Sequence, residues 1–379
     1  MTPLLAAAER ERAWTIERIR ALVQAESPST DRAALDRCAA VLTAQCREAG
    51  ATVRREPAGT TADHVVAEWP GARGRALFVG HFDTVWPVGQ IARMPLAVVD
   101  GRLHGPGVLD MKAGLAVALT AMKVAVAVLP VDTRPAVTLL ATSDEEVGSG
   151  SSRALLESLA RAHDAVLVFE PAIPGGALKT ARKGVGEFRV TAHGISSHAG
   201  ADPGAGASAV HELARQVAVL VALADPRVGR SVNVGVFEGG TRSNVVAETA
   251  HALVDVRVSR MADAAGVDAA IRGLRAADPR VRLEVQGGIN RPPMERTPGV
   301  ARLFDLAREV ALTWGEDLAE GATGGASDGN FTAALGVPTL DGLGGVGDGP
   351  HALHEHVIMD YLPRRAALVA GLVARLGSA

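Results

Sequence analysis

The sequence predicts an α/β chain in which one mixed domain is interrupted by a smaller, ferredoxin-like domain. Three observations predict it. Apolar strand runs alternate with helical patterns through the first half, the order switches near Arg182 to strand, helix, strand, strand, helix, strand, and the first style resumes after Arg291-Pro292-Pro293. At 379 residues the chain also exceeds one typical domain of roughly 100–200 residues. The expected boundaries are 1–181 with 293–379 for the outer domain and 182–292 for the insertion.

Taken in order, amphipathic patterns predict helices over 4–25 and 31–49, the second stopped by Gly50. Strands follow at 64–69 and 76–82, then at 136–143 and 165–170, separated by helical patterns near 112–128 and 151–162. In the insertion the strands fall at 186–193, 231–237, 248–258 and 279–286, with helices at 205–223 and 263–276. The outer domain closes with a helix near 298–313, a glycine-rich loop, a short strand at 337–340 and a last helix from about Pro363. No internal repeat is present, and the 42 glycines and 20 prolines mark turns instead of a low-complexity tract.

Composition narrows the function. Hydrophobic residues make up 47% and charged residues 21%, enough apolar surface for real cores. With 39 basic against 42 acidic residues the net charge is −3, which argues against nucleic acid or a membrane surface as partner and favours small molecules. No uninterrupted apolar run reaches the roughly 18–20 residues of a membrane span, and residues 1–14 read as a charged helix instead of a signal sequence, so the cytoplasm is the expected compartment. Cys38 and Cys46 lie eight apart in one predicted helix, roughly 12 Å at about 1.5 Å per residue, too far to bridge. They are expected to be reduced core thiols.

Four motifs in the first half sit at or just beyond the carboxyl end of a predicted strand, where open α/β sheets build their sites: GHFDTV, GPGVLDMKAG, TSDEEVGSG and LVFEP. In the first, His81 and Asp83 alternate onto one strand face, so that one can ligate a metal while the other orients it. Asp110 sits in a loop that opens a helix, Glu145 and Glu146 are adjacent and must diverge, Glu170 ends a strand, and GDGPHALHEH adds a histidine from the far end of the chain. Singly, each reads as an ordinary surface or capping residue. Together, three carboxylates and two histidines can hold two divalent ions, because Asp110 can bridge with both oxygens. Glu145 is then assigned the proton transfer.

These motifs, with SHAGADPGAGASAV, the SNVV and DVRV strands and GGASDGNF, resemble the dinuclear zinc family of glutamate carboxypeptidases, acetylornithine deacetylases, succinyl-diaminopimelate desuccinylases and aminoacylases. The likeness runs from about residue 10 to the end and is strongest to the glutamate carboxypeptidase branch. It implies a zinc-peptidase-like α/β catalytic domain with an inserted lid, and a homodimer through that lid. By motif, Asp110 matches the bridging ligand, His81 and Glu170 the ligands of one ion, and Glu146 and His351 those of the other; Glu145 matches the catalytic base and Asp83 the partner of His81. For the last histidine, His351 fits best because Glu355 and Val357 follow it, with His354 the alternative. The resemblance also implies a cis peptide after Asp110. Met111 stands where the family often has an acidic residue, as in many deacylase relatives, so an N-acyl amino acid deacylase is the alternative activity.

The implied activity is hydrolysis of an N-acyl amino acid or small peptide with release of a C-terminal amino acid: water activated by zinc, or by cobalt or manganese on the same ligands, gives its proton to Glu145, which returns it to the leaving nitrogen. In the lid, His198 matches the histidine that steadies the oxyanion from the other protomer, while Asn244 and Arg257 match residues that hold the substrate carboxylate. Arg257 has a plain competing reading as a strand-face ion pair. Gly325, in the stretch 323–329, matches the substrate-pocket loop. Trp86 reads equally as pocket lining or packing, and the remaining histidines His64, His104, His163, His193, His211 and His251 read as structural. Two other classes compete. Residues 325–329 fit the GxSxG pattern of a serine hydrolase around Ser327, but without the strong preceding strand that such an elbow needs. A metal-free binding protein on the same fold has no reason to keep the complete ligand set.

Overall fold

The computed structural model describes residues 2–378 and divides into two compact units. One comprises the chain up to Thr180, Arg296–Thr323 and everything from Ser327; the other is Ala181–Glu295 with Gly324–Ala326.

The first unit is built on a six-stranded sheet in the order Thr52–Glu56, His64–Trp69, Ala136–Thr142, Arg75–His81, Ala165–Val168, Thr339–Leu340. The first three strands pair antiparallel, whereas the last four run parallel. The central strands are buried almost end to end, as strands covered on both faces must be, so their sequences read as continuous apolar runs instead of alternating ones. Phe78 and Phe169 stack within the core at 4.9 Å between ring centres.

The helix Ala113–Val128 crosses this core with nearly every side chain buried except at its far end. Counted with the irregular turn before it, as Val108–Val128, it is long and apolar enough by composition to span a membrane, which departs from the expectation drawn from uninterrupted runs. It is mostly buried within its own unit, the pattern of a core helix. The expected first helix is also two: Pro3–Arg10 and Arg12–Gln24 meet at Glu11, whose backbone leaves the helical region and whose N–H folds back to Ala8 O. Cys38 and Cys46 are both free thiols in the core.

The second unit has the strand–helix–strand–strand–helix–strand order: Gly184–His193, Ala209–Val221, Ser231–Gly239, Thr249–Val258, Met261–Arg272 and Arg282–Arg291. Its sheet runs Ser231–Gly239, Thr249–Val258, Gly184–His193, Arg282–Arg291, antiparallel throughout. Strict alternation along Thr249–Val258 buries Ala250, Ala252, Val254, Val256 and Val258 beneath the two helices and leaves Asp255 and Arg257 on the opposite face. Ser208 caps the first helix by accepting from His211 N. The last strand starts later than its sequence suggests, because a turn occupies 277–280, and it runs on past Gly287, whose φ of 89° and missing Cβ allow a close approach to Glu187 O.

Gly114 marks where helix and sheet come closest: a Cβ there would lie 2.0 Å from Phe169 O, backbone that cannot swing away. Gly114→Ala should therefore lower the stability of the first unit by about 1–3 kcal/mol through overpacking. Gly266→Ala, in open space on a helix of the second unit, should raise that unit's stability by about 0.5–1 kcal/mol. Urea unfolding of both variants checks the pair of signs.

Candidate metal centre

Parallel pairing brings the site together. His81 ends one strand, the turn Glu145–Val147 follows its neighbour on one side, and Glu170 lies just past the strand on the other, so all three arrive at the same edge of the sheet. Asp110 comes from the irregular turn Val108–Lys112 that leads into the core helix, and the Asp110–Met111 peptide is cis. His351 sits between the short strands Gly347–Asp348 and His356–Ile358 with φ of 62°, a left-handed conformation that a histidine seldom adopts.

The two oxygens of Asp110 face different partners. Oδ1 is 3.3 Å from His81 Nε2, which lies 3.6 Å from Glu170 Oε1; Oδ2 is 3.3 Å from His351 Nε2, which lies 3.2 Å from Glu146 Oε1. Among the described residues two groups offer donor atoms all within 4.8 Å of one another: His81, Asp110 and Glu146, and His81, Glu145 and Glu170. Of the three neighbouring histidines, His351 alone meets these carboxylates in a recorded contact; His354 is exposed and lies 3.9 Å from Asp348, and His356 Nδ1 faces His354 O.

Charge in this cluster is strongly negative, and its histidines register it. His351 is pushed up to about 10, first by hydrogen bonding to Asp110 and then to Glu146. Burial pulls His81 down, yet Asp110, Asp83 and Glu170 together raise it well above the ordinary imidazole range. Burial would also raise Asp110, but the imidazoles of His351 and His81 beside it hold it below the usual carboxylate range, while burial pushes Glu146 up. A pair of divalent cations fits this field, and one orphaned atom fits it too. His81 Nε2 is buried without a hydrogen bond among the described residues, although it points between two carboxylates. Its other nitrogen, Nδ1, is 3.0 Å from the main-chain oxygen of Asp83, which can only accept, so Nδ1 donates there and Nε2 is the ring atom left to face the cluster.

Asp83 does more than face His81. Its carboxylate is 3.4 Å from His81 Nδ1, but it also accepts from the backbone N–H groups of Glu145 and Glu146 and from Ser29 Oγ. One buried carboxylate thus sets the turn from which the two glutamates diverge. Met111 is explained by packing: it is buried, and its sulfur accepts from His81 N. Lys112, also buried, donates to Leu22 O at the end of an N-terminal helix and anchors the Asp110 turn from behind. Sequence reasoning gave Met111 only a family comparison and Lys112 nothing.

The model of peptidase family M20/M25/M40 matches residues 77–375. The chain belongs to this family. It is 31% identical over 389 residues to carboxypeptidase G2 of Pseudomonas sp. (strain RS-16), covering 99% of this chain and 92% of the relative. It is 28% identical over 302 residues to succinyl-diaminopimelate desuccinylase of Verminephrobacter eiseniae (strain EF01-2), covering 75% and 74%. Among solved structures, aminopeptidase PepT from Bacillus cereus ATCC 10987 superposes with a TM-score of 0.79 at 22% identity over 96% of this chain and 98% of that one, a likeness of fold. The M20 chain is accordingly a member of a family of metallopeptidases and amidohydrolases, with a mixed α/β fold and an inserted domain.

Within the inserted unit of this M20 chain, His198 is exposed, and its Nδ1 accepts from Gly200 N and Ala201 N, which leaves Nε2–H as an outward donor. Asn244 is exposed too, and its carbonyl receives Ala199 N beside that histidine. Arg257 is paired with Asp255 on the same strand face through Nε and Nη2, the ion pair that competed with a substrate role. Gly325 groups with the inserted unit, where its carbonyl accepts from the buried Arg182. Trp86 is partly buried, and its indole N–H donates to Glu355.

Ser327 is fully buried, donates to Asp341 and accepts from Gly329 N, an arrangement that holds a loop instead of presenting a nucleophile. Ser327→Ala should lower stability by about 1–3 kcal/mol through the lost bond to a buried carboxylate, and leave turnover within roughly tenfold. Loss of about a million-fold in kcat, as for removal of a true serine nucleophile, would reverse that reading.

Proposed function

We propose that this M20 chain is a dinuclear, metal-dependent carboxypeptidase that hydrolyses the amide bond of N-acyl amino acids or small peptides and releases the C-terminal residue, with glutamate the favoured one. The observation that carries the proposal is the division of Asp110 between two imidazole–carboxylate pairs. His81 and Glu170 would hold one ion, Glu146 and His351 the other, and Asp110 both. Zinc is the favoured metal, with cobalt or manganese suited to the same ligands. Such ions supply Lewis acidity that polarises an amide carbonyl and makes water acidic enough to ionise near neutral pH.

The chain's own groups supply the rest. Glu145, grouped with His81 and Glu170, takes the proton of the attacking water on its carboxylate and delivers it to the leaving nitrogen. Asp83 holds that glutamate's backbone so that base and ligand keep fixed positions. His198 offers Nε2–H to the developing oxyanion, and Asn244 with Arg257 receives the substrate carboxylate, Arg257 presenting Nη1, which Asp255 does not use. A homodimer through the inserted domain and residence in the cytoplasm complete the proposal.

A deacylase of the desuccinylase type is the second reading, favoured by Met111 beside Asp110 and by the desuccinylase relative. A panel of N-acyl amino acids and dipeptides, varied independently at the acyl group and at the residue bearing the free carboxylate, separates the two. Specificity that follows the carboxylate-bearing residue supports the carboxypeptidase, and specificity that follows the acyl group supports the deacylase. Glu145→Ala should keep the wild-type metal content and lose about 10²–10⁴-fold in kcat. A metal-replete variant with wild-type turnover removes Glu145 from the mechanism.

A further inference from the structure

Glu355 is nearly fully buried, at 1% exposure, and four donors converge on its carboxylate. Oε1 accepts from Leu109 N at 2.8 Å and Asp110 N at 3.0 Å; Oε2 accepts from Gly107 N and from Trp86 Nε1, both at 2.9 Å. A carboxylate has about four lone-pair positions, and here each has a donor. The backbone groups of 107, 109 and 110 form a concave nest around it, of the kind that elsewhere binds anions; here the anion is part of the chain. Gly107, with φ of 67°, supplies the left-handed turn that folds the nest.

What meets at this carboxylate matters more than its burial. The nest ends on the backbone of Asp110 itself. Trp86 belongs to the loop that leaves the His81 strand, and Glu355 lies four residues after His351, its own N–H bonded to Ala352 O within that turn. Three separate segments that deliver His81, Asp110 and His351 are therefore tied to one side chain that touches neither metal donor set directly in any recorded contact.

We propose that Glu355 is the positioning residue of the dinuclear centre: it holds the backbone of Asp110 in register with the segments of His81 and His351, and thereby sets the affinity for the metal pair. This rests on the metal-centre reading above. Glutamine is not an innocent replacement, because its NH₂ would face two N–H donors whichever way the amide is turned.

The test compares wild type, Glu355→Gln and Glu212→Gln, all first stripped of metal. Glu212 is an equally buried carboxylate in the inserted unit that accepts from Ala277 N, Asp278 N and Gln216, so its loss reports what a merely structural carboxylate costs. Zinc titration against a chromophoric chelator should show a Kd raised about 10–100-fold in Glu355→Gln and unchanged in Glu212→Gln. Deuterium uptake by the peptide covering 105–112 in the metal-free proteins should quicken at least about tenfold in Glu355→Gln alone. If Glu355→Gln does not fold, Trp86→Phe, which removes one donor and keeps the carboxylate, should raise the zinc Kd several-fold. Wild-type zinc affinity in the folded Glu355 variant, or in Trp86→Phe if that substitutes for it, overturns the proposal, as does equal weakening in Glu212→Gln. A wild type that takes up no zinc overturns the metal-centre reading and this inference's claim about affinity; uptake of the 105–112 peptide then still decides whether Glu355 holds the loop.

Discussion

One carboxylate faces two imidazoles, and the rest of the first unit is arranged so that it can. Asp110 turns one oxygen toward His81 and the other toward His351, each imidazole already next to a glutamate. Five acidic side chains, Asp83, Asp110, Glu145, Glu146 and Glu170, crowd one end of the sheet. Such a crowd is unfavourable unless positive charge is held among them, and it is these carboxylates that raise both histidines above the ordinary imidazole range. A pair of divalent ions would answer the same demand with more charge.

Holding like charges together falls to backbone N–H groups. Asp83 is neutralised in part by the amides of the Glu145–Glu146 turn and by Ser29, and Glu355 by the nest that ends at Asp110. In both cases a buried carboxylate outside the two donor groups pins the main chain of one inside them. The pattern separates two roles: imidazole and carboxylate atoms converge on one cluster, while the groups behind them fix the main chain that carries those atoms. Parallel strand pairing supplies the common edge, and the tight approach of Gly114 to Phe169 keeps the Asp110 helix against it.

Much of this could be read in the sequence, for a physical reason. Strand ends in an open α/β sheet are where chemistry collects, so His81, Glu146 and Glu170 stood out by following apolar runs, and the alternating burial of the inserted sheet matched its βαββαβ order. What escaped notice is the reach of some of these side chains to backbone far away in the chain. Glu355 accepts from residues about 245 positions earlier, and the carboxylate of Asp83 reaches amides 62 and 63 residues on; no periodicity or spacing marks such a bond. His81 Nδ1 lies nearer the main-chain oxygen of Asp83 than its carboxylate, a choice that strand alternation alone does not make. The break at Glu11 is equally silent in the hydrophobic pattern, which continues in phase across it.

Anomalous diffraction at the zinc edge from crystals of the zinc-loaded protein bears most directly on the central claim. Two peaks about 3.5–4 Å apart are predicted, one beside His81 and Glu170, the other beside Glu146 and His351, with one oxygen of Asp110 on each. A single peak, or two peaks that leave Asp110 bound to only one of them, would contradict it.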